Sequence, residues 1–232
     1  MSKYIVQHLG LGDHVILNGM VRTMMADKPD EKFYMFVFNW YMDTVGFMYR
    51  DLPNLELFGV NRWDERQYLV DRWGISPDNV INITYDEASG MDFDRYFYES
   101  MGYPFEYRWS RFHSERDTNR ETDLFVKYGV EQGQYVFLHD DVSRGFEIDR
   151  DHIRRKDLPI VQPNLGMTSN AFDYCYLMEH SAESHFIDSS FRLIFDSFKL
   201  RKTEIYYHLN LRYGVIRNHV TKSGSYLPFT NI

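Results

Sequence analysis

The chain has 232 residues, 44% hydrophobic and 17% aromatic, enough to fill the core of one large domain or two smaller ones and too apolar for a disordered polymer. Its 26 basic and 34 acidic residues leave a formal charge of −8, which argues against a general binder of nucleic acid or of an anionic membrane surface. A local basic site for a phosphate is compatible with that total.

The first predicted strand covers residues 3–7 and runs straight into Gly10-Leu11-Gly12-Asp13. Val15, Ile16, Gly19, Met20 and Thr23 then recur at helical spacing and predict a helix over 14–25. Further apolar runs predict strands at 33–38, 55–57 and 80–83, with a helix at 64–73 that puts Tyr68, Leu69 and Trp73 on one face. Residues 91–122 are dense in aromatic and charged side chains, and Pro104 interrupts any long helix there. Beyond Gln132-Gly133-Gln134 the alternation restarts, with strands at 135–138, 158–162, 185–187 and 205–207 and helices at 170–180 and 191–198. Strand–helix alternation of this kind predicts parallel sheets covered by helices. The simplest architecture is two α/β lobes facing each other, residues 1–120 and 121–232.

Four places could carry chemistry. At 10–13 the glycines suit a tight strand–helix turn that brings backbone close to a ligand, and the helix start offers unpaired N–H groups. The plain alternative is that Asp13 simply caps the helix. Val15 stands where a dinucleotide-binding fingerprint needs its third glycine, and no Lys-Ser/Thr follows to make a P-loop. The second place is His139-Asp140-Asp141-Val142-Ser143-Arg144, at the end of a predicted strand, where ligands of open α/β sheets gather. Arg144 has the planar fork that suits a diphosphate, or it pairs with Asp140 or Asp141. Third, Asp188-Ser189-Ser190 opens a helix after the strand containing His185, as an anion pocket or an ordinary N-cap. Last, His208 and Arg212 follow the final strand.

Other chemistries find little support. Cys175 is the only cysteine, so no intrachain disulfide or Cys-based zinc site can form. No G-x-S-x-G elbow or H-E-x-x-H spacing occurs. Asp92-Phe93-Asp94 is a weak candidate for a divalent metal. The N-terminus lacks the features of a signal peptide, and no stretch approaches the roughly 20 apolar residues that cross a bilayer, so a cytoplasmic protein is expected.

Gly10-Leu11-Gly12-Asp13-His14-Val15-Ile16, with Asn18-Gly19-Met20-Val21-Arg22, resembles the GLGD opening of heptosyltransferase-like glycosyltransferases of the GT-B fold. Phe186-Ile187-Asp188-Ser189-Ser190-Phe191 is similar to their second-lobe element that binds the donor diphosphate, with Asp-Ser-Ser in place of the more usual Asp-Thr-Gly. The segment from His139 to Arg144 looks like the donor-lobe element of fucosyltransferase-type enzymes. The resemblance implies a compact α/β protein of two Rossmann-like lobes whose parallel sheets face a central cleft. It implies an inverting, metal-independent sugar transfer in which Asp13 is the base. Gly10, Gly12, His14, His139, Arg144, His185, Asp188, Ser189 and Ser190 are the expected substrate and donor contacts. A nucleoside-diphosphate sugar would be the donor and a glycan or other hydroxyl compound the acceptor, with no separate cofactor and no nucleic acid. Trp109 and Tyr107 are possible acceptor platforms. The rival readings are a nucleotide-sugar epimerase, a non-catalytic nucleotide- or carbohydrate-binding protein, and a metal-dependent transferase using Asp92 and Asp94.

Overall fold

The structure, a computed structural model, describes residues 2–200, 204–209 and 219–222. The chain divides into two compact units, Met1–Glu115 and Arg116–Ile232, where the sequence reading drew the line at 120/121. Arg212 lies outside the described residues. No described helix is long and apolar enough to cross a membrane.

Unit 1 runs β1 (Ser2–Val6), α1 (Leu11–Asp27), β2 (Lys32–Phe38), α2 (Met42–Met48), β3 (Leu55–Val60), α3 (Glu65–Arg72), β4 (Val80–Asn82), α4 (Phe93–Ser100) and α5 (Tyr107–Ser110). The strands form a parallel sheet in the order β3-β2-β1-β4. β2 is an almost unbroken apolar run because a parallel strand is covered on both faces. Val6, Phe36 and Val60 point to one face and pack with Leu9 and with Val70 of α3. Ile5, Phe33, Met35 and Val37, also fully buried, alternate to the other.

α1 begins at Leu11, three residues before the predicted start, and is apolar nearly all round. It has no polar stripe because α4 and α5 cover the side away from the sheet. The Tyr98 hydroxyl of α4 donates to the Ile16 carbonyl at 2.7 Å, and Asn18 bridges the backbone of His113 through bonds of 3.1 and 2.9 Å. Gly19 is needed for this packing, since a Cβ there would collide with the Tyr107 carbonyl. The aromatic middle of the sequence is therefore largely core: Phe97 and Tyr98 are fully buried, and Trp109 packs on Phe105 with ring centroids 5.0 Å apart.

Unit 2 runs α6 (Thr118–Tyr128), β5 (Val136–His139), β6 (Ile160–Val161), α7 (Cys175–Glu179), β7 (Glu183–Ile187), α8 (Ser190–Phe198), β8 (Glu204–Leu209) and β9 (His219–Lys222). The order is β6-β5-β7-β8-β9, parallel except for β9, which the sequence reading did not foresee. The helix predicted over 170–180 resolves into a tighter 3₁₀ turn, Ala171–Tyr174, followed by the short α7. Asn170 initiates that turn by accepting from the Phe172 N–H. Val136, Leu138 and Ile187 pack one face of the sheet against Ile148 and Ile153. A polar chain crosses that same face. The Glu183 carboxylate lies 3.1 Å from His185 Nε2, and His185 Nδ1 lies 3.0 Å from His208 Nε2, with all three side chains buried.

Candidate functional site

In each unit the strand order reverses direction once. The chain starts at β1, builds β2 and β3 on one side, then crosses to add β4 on the other. Unit 2 does the same around β5, with β6 on one side and β7 on the other. Crevices open beyond the carboxyl ends of the strands at such switch points, and ligands of open α/β sheets bind there. Gly10 and the first turn of α1, with Asp13, follow β1; the segment from His139 to Arg144 begins at the last residue of β5, and Asp188–Ser190 follow β7. Topology thus puts three of the four sequence candidates at switch points.

Gly10 is the N-cap of α1 with φ −66° and ψ 144°, so it is not there to allow a left-handed turn. Its role is spatial. Asp13 Oδ2 folds back to accept from the Gly10 N–H at 3.2 Å, and a Cβ on residue 10 would lie 2.7 Å from that oxygen. The half-buried carboxylate thereby sits over the positive end of a 17-residue helix. His14, the next residue, turns inward. It is fully buried with Nδ1 2.9 Å from Gln7 Nε2, and burial pushes its pKa down to about 3, so the ring is neutral and offers a ligand no surface.

Two residues that sequence reasoning passed over also touch this loop. The half-buried His8 ring lies 5.4 Å from Trp63 and 5.3 Å from Phe93, and burial, then the charge of Arg66, lowers its pKa. Arg66 donates to the Gln7 carbonyl and lies 4.3 Å over the Trp63 ring. His8 stands two residues before Gly10, a signal the sequence carried. Nothing in the sequence linked Arg66 to the loop.

In unit 2, His139 stacks on Phe191 at 4.3 Å. Exposed Arg144 pairs with Asp141, one of the two partners the sequence offered. Asp140 instead buries its carboxylate against Gln162 Nε2 at 2.8 Å and Arg150 at 3.2 Å. Asp188 pairs with Arg192 at 3.0 Å, four residues on, and the Arg192 side chain lies 5.6 Å from the Tyr207 ring centre. Ser189 is the N-cap of α8, its Oγ accepting from the Arg192 N–H at 3.5 Å, and Ser190 is the first residue of that helix. His185 is fully buried within the sheet. Arg144, Arg150 and buried Arg192 thus each sit beside an aspartate, and α8 starts directly after β7.

The remaining candidates settle elsewhere. Asp94 forms a buried ion pair with Arg108, and Asp92 is the N-cap of α4. Among the described residues no group of three His, Cys, Asp or Glu is placed to hold a metal ion.

No protein-family model matches the chain, and no curated protein matches it by sequence. Solved structures do. The E. coli ADP-heptose LPS heptosyltransferase II aligns with a TM-score of 0.52 at 8% identity, over 88% of this chain and 90% of that one. The family 9 glycosyl transferase of Veillonella parvula aligns with a TM-score of 0.50 at 10% identity, over 89% of this chain and 81% of that one. The fold is GT-B. At such identities the likeness is one of backbone architecture, and chemistry has to be argued from the residues themselves.

Proposed function

We propose that this chain is an inverting, metal-independent glycosyltransferase that moves a sugar from a nucleoside-diphosphate donor to a hydroxyl of a glycan or related acceptor. The observation that carries the reading is the seat of Asp13: a carboxylate held by a backbone N–H in the first turn of α1, at the carboxyl end of β1 where unit 1 has its switch point. The same bond is the acid half of a capping box, an N3 carboxylate reaching back to the N-cap N–H, so it serves the start of α1 as well. Here the N-cap is a glycine that leaves room for the acid. The fold shared with an ADP-heptose transferase supports a nucleotide-sugar donor.

In the reaction the acceptor oxygen attacks the anomeric carbon as its proton passes to the Asp13 carboxylate. The bond from that carbon to the diphosphate oxygen breaks, and the electron pair leaves with the nucleoside diphosphate. One displacement inverts the configuration. Negative charge grows on the departing diphosphate, and Arg144, Ser189, Ser190 and the first N–H groups of α8 stabilise it there. His139 ends β5 and stacks on Phe191 in the first turn of α8. Gly10 caps α1 and makes room for the Asp13 carboxylate, and Gly12 lies in the first turn of that helix. Of the other expected contacts, His14 and His185 take no direct part in this scheme because both rings are fully buried, and Asp188 acts through Arg192.

The test is calorimetry with ADP, GDP, UDP, CDP and dTDP, followed by mass spectrometry of sugar transfer with EDTA in excess. One nucleotide is expected to bind, and Asp13→Asn is expected to keep that binding while losing transfer. Failure of all five nucleotides removes the donor-site assignment, and loss of turnover in EDTA removes metal independence.

A further inference from the structure

Three of the four tryptophans are exposed, and two of them, Trp40 and Trp63, stand at the carboxyl edge of the unit 1 sheet, the edge from which α1 and Asp13 start. Trp40 follows β2 and is 56% exposed; Trp63 follows β3 and is 44% exposed. Phe38 lies between them. It stacks on Trp40 at 4.3 Å with an interplanar angle of 19° and lies 6.2 Å from Trp63. Stacking of this kind covers one face of the Trp40 indole and holds the ring as a shelf.

The surroundings of the shelf are polar. Asn39 and Asn61, both exposed, are joined by a 2.7 Å bond from Asn39 Nδ2 to Asn61 Oδ1. Gly59 makes room for this, because a Cβ there would strike Asn39 Oδ1. Arg62 and Asp64 form an exposed ion pair on the flanks of Trp63. A protein docking surface of this size would be expected to be a continuous apolar patch. Flat rings bordered by amides and charges fit a different occupant. A pyranose has a face of C–H groups that lies on an aromatic ring and a rim of hydroxyls that needs hydrogen-bonding partners around it.

We infer that Trp40 and Trp63 form a saccharide platform, and that it receives the glycan acceptor of the transfer reaction. The acceptor assignment rests on the transferase reading; saccharide binding at the platform does not. The link to the chemistry is His8: its ring meets Trp63 at 5.4 Å, and it belongs to the loop whose Gly10 N–H holds Asp13. A sugar on Trp63 therefore lies within one loop of the proposed base.

The test uses the full chain and a panel of unmodified tri- to pentasaccharides, neutral (chito- and manno-oligosaccharides) and acidic (oligogalacturonates), with binding read by calorimetry. At least one class is expected to bind. Trp40→Ala and Trp63→Ala should each weaken it tenfold or more, while Trp40→Phe and Trp63→Tyr recover most of the affinity. Trp73→Phe, on α3's far end, should change nothing, and far-ultraviolet circular dichroism should match throughout. Absence of saccharide binding, or binding indifferent to both alanine variants, overturns the platform. Nucleoside-diphosphate affinity, measured in the same variants, separates the two readings. Nucleotide binding without Trp-dependent saccharide binding sinks the platform alone, and the reverse sinks the transferase alone.

Discussion

Lowering the pH should unlock unit 1 through one residue. His14 is fully buried with a folded-state pKa of about 3, against 6.5 for an exposed imidazole, and the cause is desolvation. The unfolded chain takes up a proton on this residue near pH 6.5; the folded chain resists until near pH 3. A depressed histidine pKa therefore contributes stability that is fully present above about pH 6.5 and is lost as the pH falls toward 3. Each pH unit within that window removes about 1.36 kcal/mol, and the whole shift from 6.5 to about 3 corresponds to about 5 kcal/mol. Domains have roughly 5–15 kcal/mol in total, so by pH 4.5 the loss of about 3 kcal/mol is a large share. The four tryptophans, Trp40, Trp63, Trp73 and Trp109, all belong to unit 1, so indole fluorescence reports its urea unfolding without interference from unit 2. The wild type should lose stability steeply from pH 6.5 to 4. His14→Gln, which keeps an amide beside Gln7 and cannot take the proton, should show a slope flatter by close to one proton. Equal slopes for the two proteins would refute the assignment.

Three further outcomes are expected. Gly10→Ala pushes the Asp13 carboxylate off its N–H, so transfer turnover should fall at least tenfold with nucleotide affinity unchanged; an unaltered rate would show that the seat is irrelevant to chemistry. Gly19→Ala forces α1 away from the Tyr107 carbonyl and should cost about 1–3 kcal/mol of unit 1 stability, read by the same urea titration. Arg108→Leu leaves Asp94 buried without its partner, at side-chain exposures of 5% and 7%, and should destabilise by about 3–5 kcal/mol. The double variant Arg108→Met/Asp94→Leu should recover most of that loss, and an equally unstable double variant would contradict the ion-pair account.

The strands were readable because a parallel sheet covered on both faces needs apolar runs, which β2 and β5 supply in plain form. The helices of the aromatic middle were not. In α4 the buried Phe97 and Tyr98 stand side by side among other aromatics and charges, no helix was assigned there from the sequence, and what fixes them is their fit against α1. The start of α1 was placed late because its cap is a glycine with no side chain to announce it. At the candidate sites the sequence marked the segments but, of the partners, offered only Asp140 or Asp141 for Arg144. Three arginine–aspartate pairings, Arg144–Asp141, Arg150–Asp140 and Arg192–Asp188, depend on which way loops turn after β5 and β7. Tryptophan in a sequence is ordinarily a core residue, so Trp40 and Trp63 drew no attention until their exposure was visible.

The imidazole pair inside unit 2 has a bearing on strand pairing. Apolar side chains tolerate small sliding, whereas His185 and His208 meet through single nitrogen atoms 3.0 Å apart. Moving β8 by one residue along β7 would swing His208 to the opposite side of the sheet and strand His185 Nδ1 in a dry interior. The alignment of these two neighbours is thus keyed by a polar latch, and misaligned forms carry a penalty that hydrophobic contact alone would not impose.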